Sequence, residues 1–171
     1  MLKGLNVEAN PLLVNYGEGK QLEKIYEDDF MLVVNKPAGL LSVPGKDIQD
    51  SVYQRIVSEY PNATGPIMVH RLDQDTSGLM LIAKTKAIHK ALQQQFLDKR
   101  IKKRYVALLD GELENTEGVI DLPLRIDIND RPKQVVCFEH GKRSITQYKV
   151  VSKNDGLTRI QLNPITGRSH Q

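Results

Sequence analysis

From His70 to Gly78 the chain reads HRLDQDTSG, and the apolar run LMLIA follows at once. His70, Arg71, Asp73, Asp75, Thr76 and Ser77 thus crowd the approach to a segment that reads as a buried strand. An aspartate set between an arginine and a Thr-Ser-Gly turn has the makings of a fixed carboxylate. Arg71 can hold it ionised, and the turn hydroxyls can orient it. Asp75 is the neighbouring carboxylate. A glycosidase would need two carboxylates at a defined separation in space, which spacing in sequence does not supply. The bland alternative is a turn cap, and for an arbitrary Arg-Leu-Asp it would prevail.

The second group is KRIKKR, where Lys99, Arg100, Lys102, Lys103 and Arg104 precede Tyr105. A charge run of this kind reads first as a solvated helix end, where cations suit the helix dipole. Its functional reading is a phosphate-contacting patch with Tyr105 available to stack on a base. Arg131 and Lys133, with Lys142 and Arg143, make a second basic cluster. His70 and His170 lack a serine or cysteine partner in a nucleophile context, so they read as structural or RNA-contacting. Cys137 follows Val135-Val136 and reads as a small buried apolar residue. One cysteine and four scattered histidines give no zinc spacing, and Gly39, Gly45 and Gly78 form no phosphate loop.

The elements that must position these residues follow from periodicity. FMLVV (30–34) is a short buried strand ended by Lys36-Pro37-Ala38-Gly39, and LLSVPG brings a second Pro-Gly break. Asp50 or Ser51 caps a helix whose Val52, Ile56, Val57 and Tyr60 share a face. GLMLIA suits a strand buried on both faces. Thr85 caps a helix to about Lys99 with the stripe Ile88, Ala91, Leu92 and Phe96. YVALL, VIDLPL, SITQYKVV and LTRIQL read as strands, the last with Thr158, Ile160 and Leu162 on one side. The fold class is therefore α+β, with a mixed, mainly antiparallel sheet core and flanking helices.

The bulk properties bound the partners. The 171 residues make one domain's worth, and 40% hydrophobic and 26% charged residues are ordinary globular values. A net charge of +3 permits an anionic partner without demanding one. Residues 1–21, with Asn10-Pro11 and Gly17-Glu18-Gly19, read as a loose N-terminal extension. The opening lacks a signal pattern, and no apolar run reaches the length of a membrane span, so a cytoplasmic setting is expected.

HRLDQDTSGLMLIAKT resembles the signature of the RluA-type pseudouridine synthases, in which this stretch surrounds the catalytic aspartate. YEDDFMLVVNKPAGLLSVPG looks like the opening strand and Lys-Pro-x-Gly turn of that family. KKRYVALLDG resembles its Lys-x-Tyr-x-Ala segment, and PITGRSHQ the start of its Gly-Arg-Ser/Thr-His-Gln motif. The likeness runs from about Leu22 to Gln171, so 22–171 is expected to be the catalytic domain. Too little chain precedes residue 22 for the S4 domain that several relatives carry.

The resemblance implies an RNA-modifying isomerase that breaks the uridine N-glycosidic bond, rotates the uracil and rejoins it through carbon, with no cofactor and no metal. Asp73 would be the catalytic residue, as a covalent nucleophile or as a base at the ribose. Arg71 would fill the place of the extruded uridine and Tyr105 would stack on it, with His70, Arg168 and the basic run on the RNA. DLPLRIDINDRPKQVV, the LSVPG turn and NPITGRSHQ look most like the founding member, so the expected partners are 23S rRNA and/or the tRNA anticodon arm. No protein partner is implied, and a monomer is expected. A related synthase with a different single target is the nearest alternative, and a non-catalytic RNA-binding or RNA-folding module the more distant one.

The ending on Thr166-Gly167-Arg168-Ser169-His170-Gln171, directly after a strand, reads as cut. In the family the last motif goes on to supply a basic residue facing the aspartate and further core strands. These 171 residues are accordingly expected to be part of a longer product. Alone they would be inactive and prone to aggregate unless a separate C-terminal piece stays bound.

Overall fold

The computed structural model describes residues 21–171, so the extension expected over residues 1–21 lies, Gln21 apart, outside the described residues. The chain divides into two compact units, the first ending at Asp98 and the second formed by Lys99–Gln171.

The first unit holds β1 (Glu23–Glu27), β2 (Met31–Lys36), α1 (Val52–Glu59), β3 (Gly78–Ala83) and α2 (Lys86–Leu97). Its sheet has the order β1-β2-β3, with both pairs antiparallel. The β2–β3 register runs without a slip from Met31 opposite Ala83 to Lys36 opposite Gly78. Met31, Val33 and Ala83 pack with Val69 and Leu92 on one face, and Ile88 and Phe96 of α2 close over them. Leu32, Val34, Met80 and Ile82, at the alternate positions, are equally buried. Coverage of both faces explains why β2 and β3 read as continuous apolar runs rather than alternating ones.

Both helices begin where their capping residues stand. The Ser51 hydroxyl accepts the Gln54 N–H at 3.2 Å, while Asp50 instead holds Arg55 through a two-pronged ion pair. Thr85 accepts the Ile88 N–H at 3.3 Å. α2 stops at Leu97, short of the expected Lys99, and Lys99 turns with φ 54. The expected stripe is also corrected: Ala91 is exposed, and His89 is buried in its stead with a ring nitrogen 2.9 Å from the Met68 carbonyl oxygen.

The second unit is a five-stranded antiparallel sheet, ordered β4 (Tyr105–Asp110), β8 (Leu157–Pro164), β7 (Lys142–Asn154), β5 (Glu117–Ile126) and β6 (Gln134–Val136). Thr158 and Ile160 are buried while Leu157 and Arg159 are exposed, as the alternation in β8 requires. The α+β class is borne out. All pairings between the named strands are antiparallel, and the one parallel contact among the described residues is the isolated bridge Leu41–Ser51. Cys137 corrects another expectation. It sits half-buried in a turn closed by Gly141 N–H on its carbonyl, and the backbone N–H groups of His140 and then Glu139 lower its thiol pKa. No helix among the described residues is long and apolar enough to cross a membrane.

Candidate active site

Pairing Lys36 with Gly78 sets the loop that leaves β2 beside the loop that enters β3. The two loops are laced together on either side of Asp73. On its N-terminal side, the Ser42 hydroxyl donates to the Leu72 carbonyl at 2.5 Å and accepts the Leu72 N–H at 3.0 Å. On its C-terminal side, the Gln74 carbonyl accepts the Gly39 N–H at 2.9 Å and the Lys36 ammonium at 2.7 Å. Gly39 reaches this position with φ +86, which a side chain would strain. The Thr76 N–H closes a turn on the Asp73 carbonyl at 3.1 Å. Asp73 itself is half-buried at the centre of this lacing.

Lys36 is fully buried. Its ammonium donates to the carbonyls of Pro37 at 2.9 Å, Leu40 at 2.5 Å and Gln74 at 2.7 Å. Three acceptors match its three protons. Burial pushes the Lys36 pKa down to about 8, against the pull of the Asp75 and then the Asp73 carboxylates. Sequence reasoning used Lys36 only as part of a turn signature. The signal it passed over is phase: Lys36 follows the buried Leu32 and Val34 on one face of the strand.

His70 also has a structural contact. Its Nε2 accepts the Leu81 N–H at 3.0 Å, and its ring lies 4.9 Å from that of Phe96. The imidazole therefore fastens the start of the loop to β3 and α2. Arg71 is exposed on the same loop.

The remaining expected residues lie in the second unit. Tyr105 opens β4, half-buried and opposite Leu162. The basic run is not a helix end, because α2 stops before it; it is the lead into β4. Arg100, Lys102 and Arg104 are exposed, whereas Lys103 is half-buried and donates to the Thr166 carbonyl at 2.8 Å. Burial also lowers the Lys103 pKa. Lys99 is exposed at the head of the run. Arg168 is exposed with Nε directed at the Arg143 carbonyl at 3.4 Å, and Gln171 ties the same segment to Ile145 and Thr146. In the second basic cluster, Lys133 pairs with Asp130 and Arg143 with Asp121, which neutralises both. The structure thus assembles His70, Arg71 and Asp73 in one unit, and Tyr105, the basic run and Arg168 in the other.

Known proteins resemble this arrangement. Residues 30–171 match the family described as RNA pseudouridylate synthase. The dual-specificity RNA pseudouridine synthase RluA of Yersinia pestis is 50% identical over 150 residues, 86% of this chain and 71% of that protein. Its namesake in Escherichia coli (strain K12) is also 50% identical over 150 residues, 86% of this chain and 67% of that protein. Among solved structures, human RNA pseudouridylate synthase domain containing 1 aligns with a TM-score of 0.76 at 26% identity, over 92% of this chain and 65% of that one. The chain spans about two thirds of the length of each of these proteins.

Proposed function

Because this chain belongs to the RNA pseudouridylate synthase family and to its RluA-type branch, we propose that it isomerises uridine to pseudouridine with Asp73 as the catalytic carboxylate. The observation that carries this reading is the lacing of both residues flanking Asp73 into the Pro-Gly loop. A carboxylate whose backbone is held on both sides leaves the chain in one fixed direction. In the isomerisation the bond from uracil N1 to the ribose breaks and a bond from C5 to the same carbon forms. N1 gains a proton and C5 loses one, so the atoms balance without an oxidant or a group donor. Asp73 serves at the ribose, either as nucleophile or as base.

The substrate is RNA. We assign uridines in 23S rRNA and in the tRNA anticodon arm, in keeping with the dual specificity in the names of the relatives, and a cytoplasmic enzyme that works as a monomer. A uridine within a folded loop must be extruded first, at a cost of about a few kcal/mol. Arg71, exposed next to the fixed loop, is suited to the vacated place. Mapping pseudouridines in both RNA classes, from cells with and without the gene, tests the assignment. Sites should disappear from both, and loss from neither would contradict it.

Two further results are expected. Base stacking on an aromatic ring contributes about 1–3 kcal/mol, and it uses the ring rather than the hydroxyl. Tyr105→Phe should therefore keep most of the activity that Tyr105→Ala loses, as steady-state kinetics would show. Equal damage from both would assign the hydroxyl a chemical part. Replacing Arg100, Lys102 and Arg104 together by Gln should weaken RNA binding. It should also lower the salt slope by about 0.7–0.9 for each lost phosphate contact. An unchanged slope across a salt titration would make the run a solvated lead into β4 and nothing more.

A further inference from the structure

We propose that Ser42 is a positioning residue for Asp73, acting through the backbone of Leu72. The proposal rests on the pseudouridine-forming reading of this loop. Ser42 is 4% exposed, and its one hydroxyl serves both polar groups of a single peptide neighbour, the Leu72 carbonyl and the Leu72 N–H. That pair of bonds does for Leu72 what a strand partner would do: it fixes the backbone dihedrals of the residue immediately before Asp73. The direction in which the Asp73 side chain leaves the chain is thereby set.

Ser42 is held from the other side by the start of α1. The Tyr53 N–H donates to the Ser42 carbonyl at 3.1 Å, and the Val52 N–H to the Leu41 carbonyl at 2.8 Å. These are N–H groups that a first helical turn leaves without partners inside the helix. A relay therefore runs from the N-terminus of α1 through Ser42 and Leu72 to the carboxylate. Ser42 touches no reacting atom in this scheme. It acts on turnover by fixing geometry, where a displacement of about 1 Å can cost roughly 100-fold in rate.

The test uses the matched pair Ser42→Thr and Ser42→Val, which add the same bulk and differ only in the hydroxyl. In the natural protein carrying this chain, kcat and KM are measured on 23S rRNA and tRNA transcripts, and hydrogen exchange of the Leu72 amide is read by NMR on the same samples. Ser42→Val should lower kcat by about 10–100-fold with KM nearly unchanged, while Ser42→Thr stays within about 3-fold of wild type. The Leu72 amide should exchange faster in Ser42→Val alone. Equal kcat for the two variants, or a loss confined to KM, overturns the positioning role. Unaltered Leu72 exchange in Ser42→Val overturns the relay itself. If wild type forms no pseudouridine while Leu72 exchange separates the two variants, the reaction assigned to the loop fails and the positioning role with it, so the two failures are distinguishable.

Discussion

Asp73→Asn should abolish pseudouridine formation while RNA binding stays within about 2-fold of wild type. The substitution keeps shape and most hydrogen bonding but removes the negative charge that both chemical routes require. Groups that act directly at a reacting centre typically contribute about 10²–10⁴-fold as acids or bases, and more as covalent nucleophiles. The backbone on either side of Asp73 is held by other residues: Ser42 grips Leu72, while Gly39 and Lys36 grip Gln74. The Asn variant should therefore keep this backbone hold and still fold, as its circular dichroism would show. Single-turnover kinetics beside a binding titration separates the two quantities. Turnover near wild type would remove Asp73 from the chemistry.

The largest effect on stability is expected at Lys36. Replacing it with Met leaves the carbonyls of Pro37 and Leu40 without their buried donor and takes one of two donors from Gln74. Each orphaned buried acceptor costs about 1–3 kcal/mol, offset in part by relief from burying a charge, so a net loss of about 2–5 kcal/mol follows. The pH dependence has a definite sign. Burial lowers the folded pKa to about 8 from the ordinary 10.5, so between those values the unfolded chain binds more protons than the folded one. The penalty for burying the charge is fully present below pH 8 and fades as the pH rises toward 10.5. Lys36 alone should make stability climb by up to about 3 kcal/mol across that window. Denaturant unfolding of wild type and Lys36→Met at neutral and alkaline pH reads this as a difference in slope. Parallel pH profiles for the two would contradict the buried ammonium.

The comparison between sequence and structure turns on distance along the chain. Signals carried by neighbours were legible: the cap at Thr85, the strand GLMLIA with its bounds, the inward Thr158 and Ile160, and the polar loop around Asp73. Partners supplied from far away were not. Ser42 meets Leu72 and Lys36 meets Gln74 only because β2 and β3 pair in one register, and no local pattern encodes that meeting. The structural contact of His70 is not legible either, because spacing in sequence cannot show the Leu81 N–H that its ring accepts. Lys103 looked like a free cation within a basic run, yet Thr166 claims it across the second unit. β6, only three residues long, and β1, flanked by charge, carry too little periodicity to be read.

The most direct test of the central claim follows the hydrogen at uracil C5. Rejoining the base through C5 expels that hydrogen, so RNA transcribed with C5-tritiated uridine releases tritium to water only where a carbon–carbon bond to the ribose forms. The natural protein carrying this chain should release tritium from 23S rRNA and tRNA transcripts in proportion to the pseudouridine made, and its Asp73→Asn variant should release none. Binding of the same transcripts without tritium release, or release that persists in Asp73→Asn, would contradict the account.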